Sequence, residues 1–527
     1  MSLNRSQLHK DLEARKGVFA QVFTLLKEKS EPHWYPSLWV ERRASRQLSF
    51  DKRQDSVNEP LNQGVVLRVF DGHSLFEEAC DQMSIEVLEQ KVKSLVERVK
   101  RLSSASSQTK GYKPPSWSER LKLNLDSEIT SQIPGNPAGD EWVHFGTPQK
   151  KPMWSQTSDA VKFGKNLYAK LVSVNEALPA DNAAKDPDYF RVSVVLNRDD
   201  FLFIDEKVRM SQTILRNLTN AMVLKNGERG YTLMGGLGGQ ETVEIPDHQF
   251  LETYEYLEKT LNAEKLKPGR YKLLMGPSVT GVFAHEAFGH SQEGDTWARG
   301  RSQAKILYEQ QTEIGNKHAT IYNNPAIYKN GSDEFAAWGS YYFDEEGWLA
   351  QEHCLVKEGK LQQPMTNLTS SLRLNMPRTA NGKRESWMRG MYVRQTNTYF
   401  SAGEKTYDDL IAQVDYGFQA VHAAGGMEDP KGMGIQVGIA YLEEIKNGQL
   451  TGKTFVGPNG GSVQMTGYVP DYLGSIVDKA KIDHFDDSFD ESQHPWNEVG
   501  GCGKYHKESV MAGCGGPYML LENVLLG

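Results

Sequence analysis

Between Gly281 and Asp295 the chain reads Gly-Val-Phe-Ala-His-Glu-Ala-Phe-Gly-His-Ser-Gln-Glu-Gly-Asp, which puts two imidazoles and a carboxylate within six residues. Neutral imidazole is a good zinc ligand, and a glutamate beside a metal-activated water is a natural general base. The well-known zinc-protease pattern, H-E-x-x-H, holds its histidines four apart on one helix face. Here His285 and His290 are five apart. On a regular helix of 3.6 residues per turn, such positions point roughly 140° apart. One ion can join them only if the helix ends or bulges between them. Gly289 stands where that would happen, because glycine takes backbone angles that other residues avoid. The stretch therefore predicts a metal site at a broken or terminating helix, with Glu286 as the base. The plainer alternative is one buried, hydrogen-bonded histidine and one exposed one, and an isolated His-Glu pair would favour it.

Two histidines and a water leave a tetrahedral zinc one ligand short, since catalytic sites usually have three protein ligands and one open position. Cys502 stands among glycines, in Gly500-Gly501-Cys502-Gly503-Lys504, where backbone can approach an ion closely. Its thiolate would be a strong ligand. Spacing alone also allows a small buried cysteine in a glycine-rich loop. Further along, His506 and Cys514 are rival donors. Glu293 and Asp295 are candidates to hold a ligand histidine in its tautomer, or else belong to a solvated turn.

The elements that must position these groups fall into two halves. Apolar spacing predicts an amphipathic helix over 5–29, then short β-rich runs at Leu38–Arg43, Gln47–Phe50 and Gly64–Phe70 that read as an antiparallel meander. A long helix is expected from Ser74 to Leu102, a Ser/Pro/Gly-rich connection at Ser103–Trp117 and a second helix at 157–177. Phe190–Asn197 and Asp200–Lys207 read as a hairpin, with more strand around 212–224. The run Gly235-Gly236-Leu237-Gly238-Gly239 reads as a hinge or rim loop; no strand–turn–helix unit makes it a dinucleotide fingerprint. A helix at 246–266 and a strand at Arg270–Met275 then deliver the chain into the His-Glu stretch, whose helix should span 277–290. Beyond it, a strand running into a turn is expected at Trp338–Gly347, a hairpin around Glu358-Gly359, and another around Asn447-Gly448. The fold class is thus α+β: an N-terminal α+β domain at 1–235, followed by a larger, mainly antiparallel β-rich domain at 236–527 that carries the metal-site helix.

Composition narrows the classes. The 527 residues exceed one compact domain, and 60 basic against 68 acidic side chains give a net charge of −8, with no sign of nucleic-acid binding. No apolar run reaches the length of a membrane span. The first residues, MSLNRSQLHKDLEARKG, lack the apolar core of a signal peptide, and four cysteines suit a reducing compartment, so a cytoplasmic location is expected.

Several stretches together resemble the TldD/PmbA family of peptidases: His285-Glu286-Ala287-Phe288-Gly289-His290 with Glu293-Gly294-Asp295, Asn381-Gly382-Lys383-Arg384-Glu385-Ser386, Arg394-Gln395-Thr396-Asn397-Thr398-Tyr399, and Cys502-Gly503-Lys504. The resemblance implies His285, His290 and Cys502 as ligands of one Zn2+ per chain, with Glu286 as general base. It implies short or unfolded peptides as substrates, within a homodimer or a heterodimer with a related subunit. The metal motif is kept, so the chain resembles the catalytic subunit of that family. Arg394, Asn397 and Tyr399 are candidates to line the cleft, or strand residues with structural hydrogen bonds. The chain departs from the family after Lys504. Where relatives continue with Gly-Gln and a Val-Pro-Val-Gly run, it has Tyr505-His506-Lys507-Glu508-Ser509-Val510-Met511-Ala512-Gly513, which puts substrate preference in question. The segment Asp181–Asp188 and the long Ser103–Trp117 connection also look particular to this chain. Two other readings compete: a zinc amidase acting on a modified peptide, and a non-catalytic peptide-binding or partner subunit with a structural metal.

Overall fold

The computed structural model describes residues 5–103, 111–123, 141–329, 335–481, 498–504 and 508–527. Helix α1 (Arg5–Lys29) leads into a sheet of eight strands: β1 (Tyr35–Asp51), β2 (Asp55–Asn58), β3 (Leu61–Phe70), β4 (Leu75–Cys80), β5 (Trp142–Gly146), β6 (Tyr189–Ile204), β7 (Arg209–Lys225) and β8 (Glu228–Leu237). Their order is β4-β3-β1-β6-β7-β5, with β2 also on β1 and β8 on β7. Helices α1 and α2 (Ile85–Leu102) bury Phe19, Val22, Phe23, Leu26, Leu88, Val92, Leu95 and Val99 against β1 and β3. Helices α3 (Thr157–Ala177) and α4 (Asp247–Leu261) cover another part of the sheet through Leu167, Leu171, Phe250, Tyr254 and Leu257.

Two local expectations change here. The segment from Ser74 to Leu102 is not one helix, because β3 presents an edge on which 75–80 pairs from Phe70↔Leu75 to Val65↔Cys80. Edge pairing outweighs helical periodicity over that first stretch, and the helix starts only at Ile85. Nor is there a hairpin at 190–207. The polar run Asn197-Arg198-Asp199-Asp200 looks like a turn, yet β6 passes straight through it, paired on both sides with β1 and β7. Its charges are matched within the sheet: Arg198 meets Asp200 at 2.9 Å, Arg216 meets Asp199 at 3.2 Å, and Thr213 Oγ1 donates to Asp200 at 2.6 Å.

The rest of the chain builds a second eight-stranded sheet from β9 (Glu264–Lys265), β10 (Gly269–Met275), β17 (Tyr416–Asp429), β18 (Gly434–Lys446), β19 (Gln449–Val456), β20 (Val463–Tyr468), β21 (Ile476–Lys479) and β24 (Met519–Leu526). Because β18 pairs with both β20 and β17, the ring β17-β10-β24-β20-β18 closes on itself. Most of its pairings are antiparallel, β10–β17 and β19–β9 being the parallel ones. A six-stranded sheet in the order β13-β12-β11-β16-β23-β22 lies beside it, made of β11 (Ile321–Asn323), β12 (His353–Lys357), β13 (Lys360–Leu361), β16 (Asn397–Phe400), β22 (Glu498–Lys504) and β23 (Glu508–Gly515). A small hairpin pairs β14 (Gly382–Lys383) with β15 (Tyr392–Val393). Helix α5 (Pro277–Ala284) is buried between the ring and the six-stranded sheet, with Val279 and Phe283 fully enclosed. Each such side chain contributes about 1.5–3 kcal/mol of burial.

The glycine run 235–239 is not a free hinge. β8 extends through Leu237, whose N–H donates to Ala336 O at 2.9 Å. Trp338–Gly347 forms no strand, only an isolated bridge from Phe343 to Leu349. Side chains take the place of a ladder there: Gln212 Nε2 donates to Phe343 O at 2.9 Å, and Gln212 Oε1 accepts from Tyr342 N at 3.0 Å. The following Asp344-Glu345-Glu346 is buried among arginines. Arg68 donates to Glu345 O at 2.6 Å, Arg384 bridges Glu345 (2.8 Å) and Glu77 (2.6 Å), and Arg378 holds Glu346 at 2.6 Å.

Candidate metal centre

Helix α5 begins with Pro277, where the missing N–H is lost to the helix anyway. It lies directly on β23: a Cβ at Gly281 would come within 2.6 Å of Gly515 N. That close approach brings the helix end near β22, the strand paired with β23. At His285 the helix widens into a π turn, His285–Gly289, followed by a 3-10 turn, His290–Gln292. A π turn bonds i to i+5, so residues five apart come to one side. The two imidazole rings stand 5.1 Å apart, centroid to centroid. The bulge is therefore where the spacing required it, but the glycine serves another purpose. Gly289 has ordinary helical angles (φ −65°, ψ −57°). What it permits is the approach of the buried Gln395, whose Oε1 would lie 1.8 Å from an added Cβ.

Cys502 enters from β22, buried, with Sγ 3.4 Å from His290 Nε2. Donor atoms of His285, His290 and Cys502 all lie within 4.8 Å of one another, and theirs is the one such convergent group of three among the described residues. His506 lies outside the described residues. Cys514 is buried on β23, paired with Glu498, and does not join the group.

On its far side, His290 Nδ1 faces Glu293 Oε1 at 3.6 Å. Lys504 Nζ grips Glu293 at 2.7 Å and Asp295 at 2.6 Å, and donates to Val393 O at 3.1 Å. Arg394 Nε stands 3.7 Å from Glu293, and its Nη2 donates to the backbone carbonyl of Cys502. So Glu293 meets the histidine directly, while Asp295 reaches it only through Lys504. Burial works against charge on the Cys502 thiol, but the imidazoles of His290 and His285 hold its pKa well below the usual thiol value. Burial would likewise discharge His290, yet Cys502 and Glu293 raise it well above an ordinary histidine. Glu293 is pushed up by burial and pulled down further by Lys504, His290 and Arg394, to about 2. The two groups thus shift in the directions that favour a thiolate beside an imidazolium. That donor set suits a divalent ion, which takes thiolate and neutral imidazole and releases the imidazolium proton on binding.

Glu286 is buried next to His285, with its Cγ against Gly426 of β17. The cluster opens on a cavity of about 960 Å³, walled by the π turn, by Gly425–Lys431 and by parts of β22 and β23. Arg394, Asn397 and Tyr399 are not among the cleft-lining residues. Arg394 is behind the cluster; Asn397 bonds Gly339 N, Asn324 O and Ser340 Oγ; Tyr399 donates to Glu352 at 2.6 Å. Two residues had no assigned role at the level of sequence. Lys504 stood in the Cys502-Gly503-Lys504 stretch of the resemblance but was given no role. Glu428, on β17, accepts from Ser291 N at 3.2 Å and from Ser291 Oγ. Burial, with Glu286 and Glu293 nearby, raises its pKa well above the carboxylate range against the pull of His290. Nothing in Gly425-Gly426-Met427-Glu428-Asp429 announces it.

Residues 268–526 match the PmbA/TldA metallopeptidase C-terminal domain. Over these residues, just under half of the chain, it is similar to the TldD/PmbA family. It is 29% identical over 326 residues to a metalloprotease of Methanothermobacter thermautotrophicus, covering 61% of this chain and 65% of that one. It is also 29% identical over 185 residues to a zinc metalloprotease TldD homolog of Saccharolobus solfataricus, covering 35% and 39%. The chain therefore spans less than two thirds of the length of either relative. The crystal structure of TldE from Thermococcus kodakarensis has the same fold, with a TM-score of 0.63 at 12% identity over 97% of this chain and 100% of that one. Among the described residues, no helix is long and apolar enough to cross a membrane.

Proposed function

We propose that the protein is a zinc-dependent peptidase that hydrolyses peptide bonds of short or unfolded peptides. The observation that carries this reading is the convergence of His285, His290 and Cys502 within 4.8 Å on the wall of a large cleft, next to Glu286. These three residues would hold the ion, one per chain. A bound zinc ion supplies a Lewis acid that polarises a carbonyl and lowers the pKa of water to about 7. Glu286 takes the proton of the attacking water and returns it to the leaving amine. Lys504 and Arg394 keep Glu293 ionised. Glu293 in turn orients His290 through Nδ1 and leaves Nε2 directed at the Cys502 sulfur. β22 ends its sheet and lines the cleft, so an extended peptide lying along it would gain main-chain hydrogen bonds with little sequence preference. In the same reading the chain divides at 1–235 and 236–527, acts in the cytoplasm, and pairs with a second copy or a related subunit.

The test is zinc content by mass spectrometry, wild type beside His290→Ala, joined to hydrolysis of a mixture of unstructured peptides. About one zinc per chain, lost in the variant together with hydrolysis, supports the reading. Zinc retained by His290→Ala, or zinc-loaded wild type that cuts no peptide, overturns it; the second result leaves a peptide-binding or partner subunit with a structural metal.

A further inference from the structure

A second, smaller cavity of about 50 Å³ lies where the first sheet meets the β14–β15 hairpin and β23. At about 10–15 Å³ for each water, it has room for a few waters or for one carboxylate group. Its aromatic wall includes Trp39, Phe201 and Phe343, and four cations line it together with the three carboxylates of Asp199, Asp344 and Glu345. Arg384 is bonded to Glu345 and Glu77, and Arg216 to Asp199. Arg43 meets Glu41 at 3.3 Å through Nη2, while its buried Nε has no partner. Lys383 differs from all three. It has no carboxylate within ion-pair distance among the described residues. Its ammonium donates to Met511 O at 3.0 Å and lies 4.9 Å from the centre of the Tyr341 ring. Burial, reinforced by Arg216, Arg394 and Arg43 against the pull of Glu345, lowers its pKa to about 7. A half-buried cation without a counterion beside an open cavity is a place for an anion.

The position of the cavity says which anion. Met511 pairs with Gly501, and the adjoining pair is Val510 with Cys502. With strands about 4.8 Å apart and about 3.3 Å per residue, the Lys383 ammonium lies on the order of 10 Å from Cys502. That is about three residues of extended peptide. We propose that this cavity is a carboxylate subsite, where Lys383, with Arg43 beside it, takes a C-terminal carboxylate or an acidic side chain of a peptide lying in the main cleft. This rests on the peptidase reading and adds a charge preference to a site that otherwise recognises main chain.

The test measures binding without turnover, on zinc-loaded Glu286→Gln protein, by fluorescence anisotropy. Three N-terminally labelled Ala/Gly pentapeptides are compared: a free acid, its C-terminal amide, and an amide ending in Glu. The free acid is expected to bind about tenfold tighter than the amide, and Lys383→Met should bring that ratio to about one. Lys383→Gln, which keeps a donor for Met511 O, serves if Lys383→Met does not fold. Tight binding of the Glu-terminated amide assigns the subsite to carboxylates in general; weak binding assigns it to the chain terminus. Equal affinity for acid and amide, or a preference that survives both substitutions, overturns the proposal. Hydrolysis of the plain amide by wild type reports on the peptidase reading alone. Its absence alongside an intact acid preference would remove the peptidase and leave the subsite.

Discussion

Two of the clusters of buried charge among the described residues are built oppositely. Around Asp344-Glu345-Glu346, Arg378 and Arg384 meet the carboxylates of Glu346 and Glu345, and Arg68 caps the Glu345 carbonyl. In that network the charges answer one another. Around His290, the outer charges are matched in the same manner: Lys504 and Arg394 against Glu293, Lys504 against Asp295. But the innermost groups, Nε2 of His290, a nitrogen of His285 and the sulfur of Cys502, point at each other across a few ångströms and face a cleft. Burial alone therefore does not mark function. What sets the second cluster apart is that its paired charges surround donor atoms that converge on one point.

That contrast can be broken from either side. The largest effect is expected at Glu286→Gln, which should lower peptide turnover by about 10²- to 10⁴-fold while zinc content stays at that of wild type; substantial residual turnover would remove Glu286 from its role. Next is Arg384→Met in the Asp344–Glu346 network. Leaving Glu345 and Glu77 without their guanidinium should cost about 3–5 kcal/mol in denaturant unfolding, again with zinc content unchanged. Loss of zinc from the folded variant would show that the two clusters are not separate.

Glu293→Gln should weaken zinc affinity by about 10- to 100-fold in a chelator competition. It also changes the pH dependence. Glu293 has a folded pKa near 2 against an ordinary 4.5. A depressed acid contributes stability above its unfolded pKa and loses it as pH falls through the folded one. Wild type should therefore lose on the order of 3 kcal/mol more than Glu293→Gln between pH 5 and pH 2. Parallel stability curves for the two proteins would contradict the ion pairing drawn here. The smallest effect belongs to Cys354, a half-buried thiol outside the cluster whose pKa burial pushes up to about 11. Cys354→Ala should keep full zinc and change stability by less than about 1 kcal/mol, whereas Cys502→Ala should lose the metal.

Much of the centre was legible because its chemistry is local in sequence. The five-residue spacing of His285 and His290 demanded a break in the helix, and the π turn supplies it. The glycines around Cys502 marked backbone that could approach closely, though the stretch read as a loop and forms a strand. What stayed hidden was whatever the fold brings together from a distance. Lys504 and Glu293 are 211 positions apart by number, and Gln395 fills the space left by Gly289 from another element. The hairpins at Glu358-Gly359 and Asn447-Gly448 were readable from turn chemistry, and both form. The turn expected at Arg198-Asp199 was not there, because cross-strand partners neutralised residues that look like a turn when alone. Likewise 75–80 carried helical spacing, but β3 offered it an edge.

The π turn has one more consequence. A wide turn is a helix carrying one residue more than its repeat allows, so everything after it is shifted in phase. Upstream, Val279, Phe283 and Ala284 keep the register of a core-packed helix. Downstream, Ser291, Glu293 and Asp295 address a different wall, with Ser291 to Glu428 and Glu293 to Lys504. Removing one residue between His285 and His290 would restore the familiar four-residue spacing and a regular helix. The extra residue works as a frame shift in three dimensions, letting one continuous segment serve the core on one side of His285 and the centre on the other.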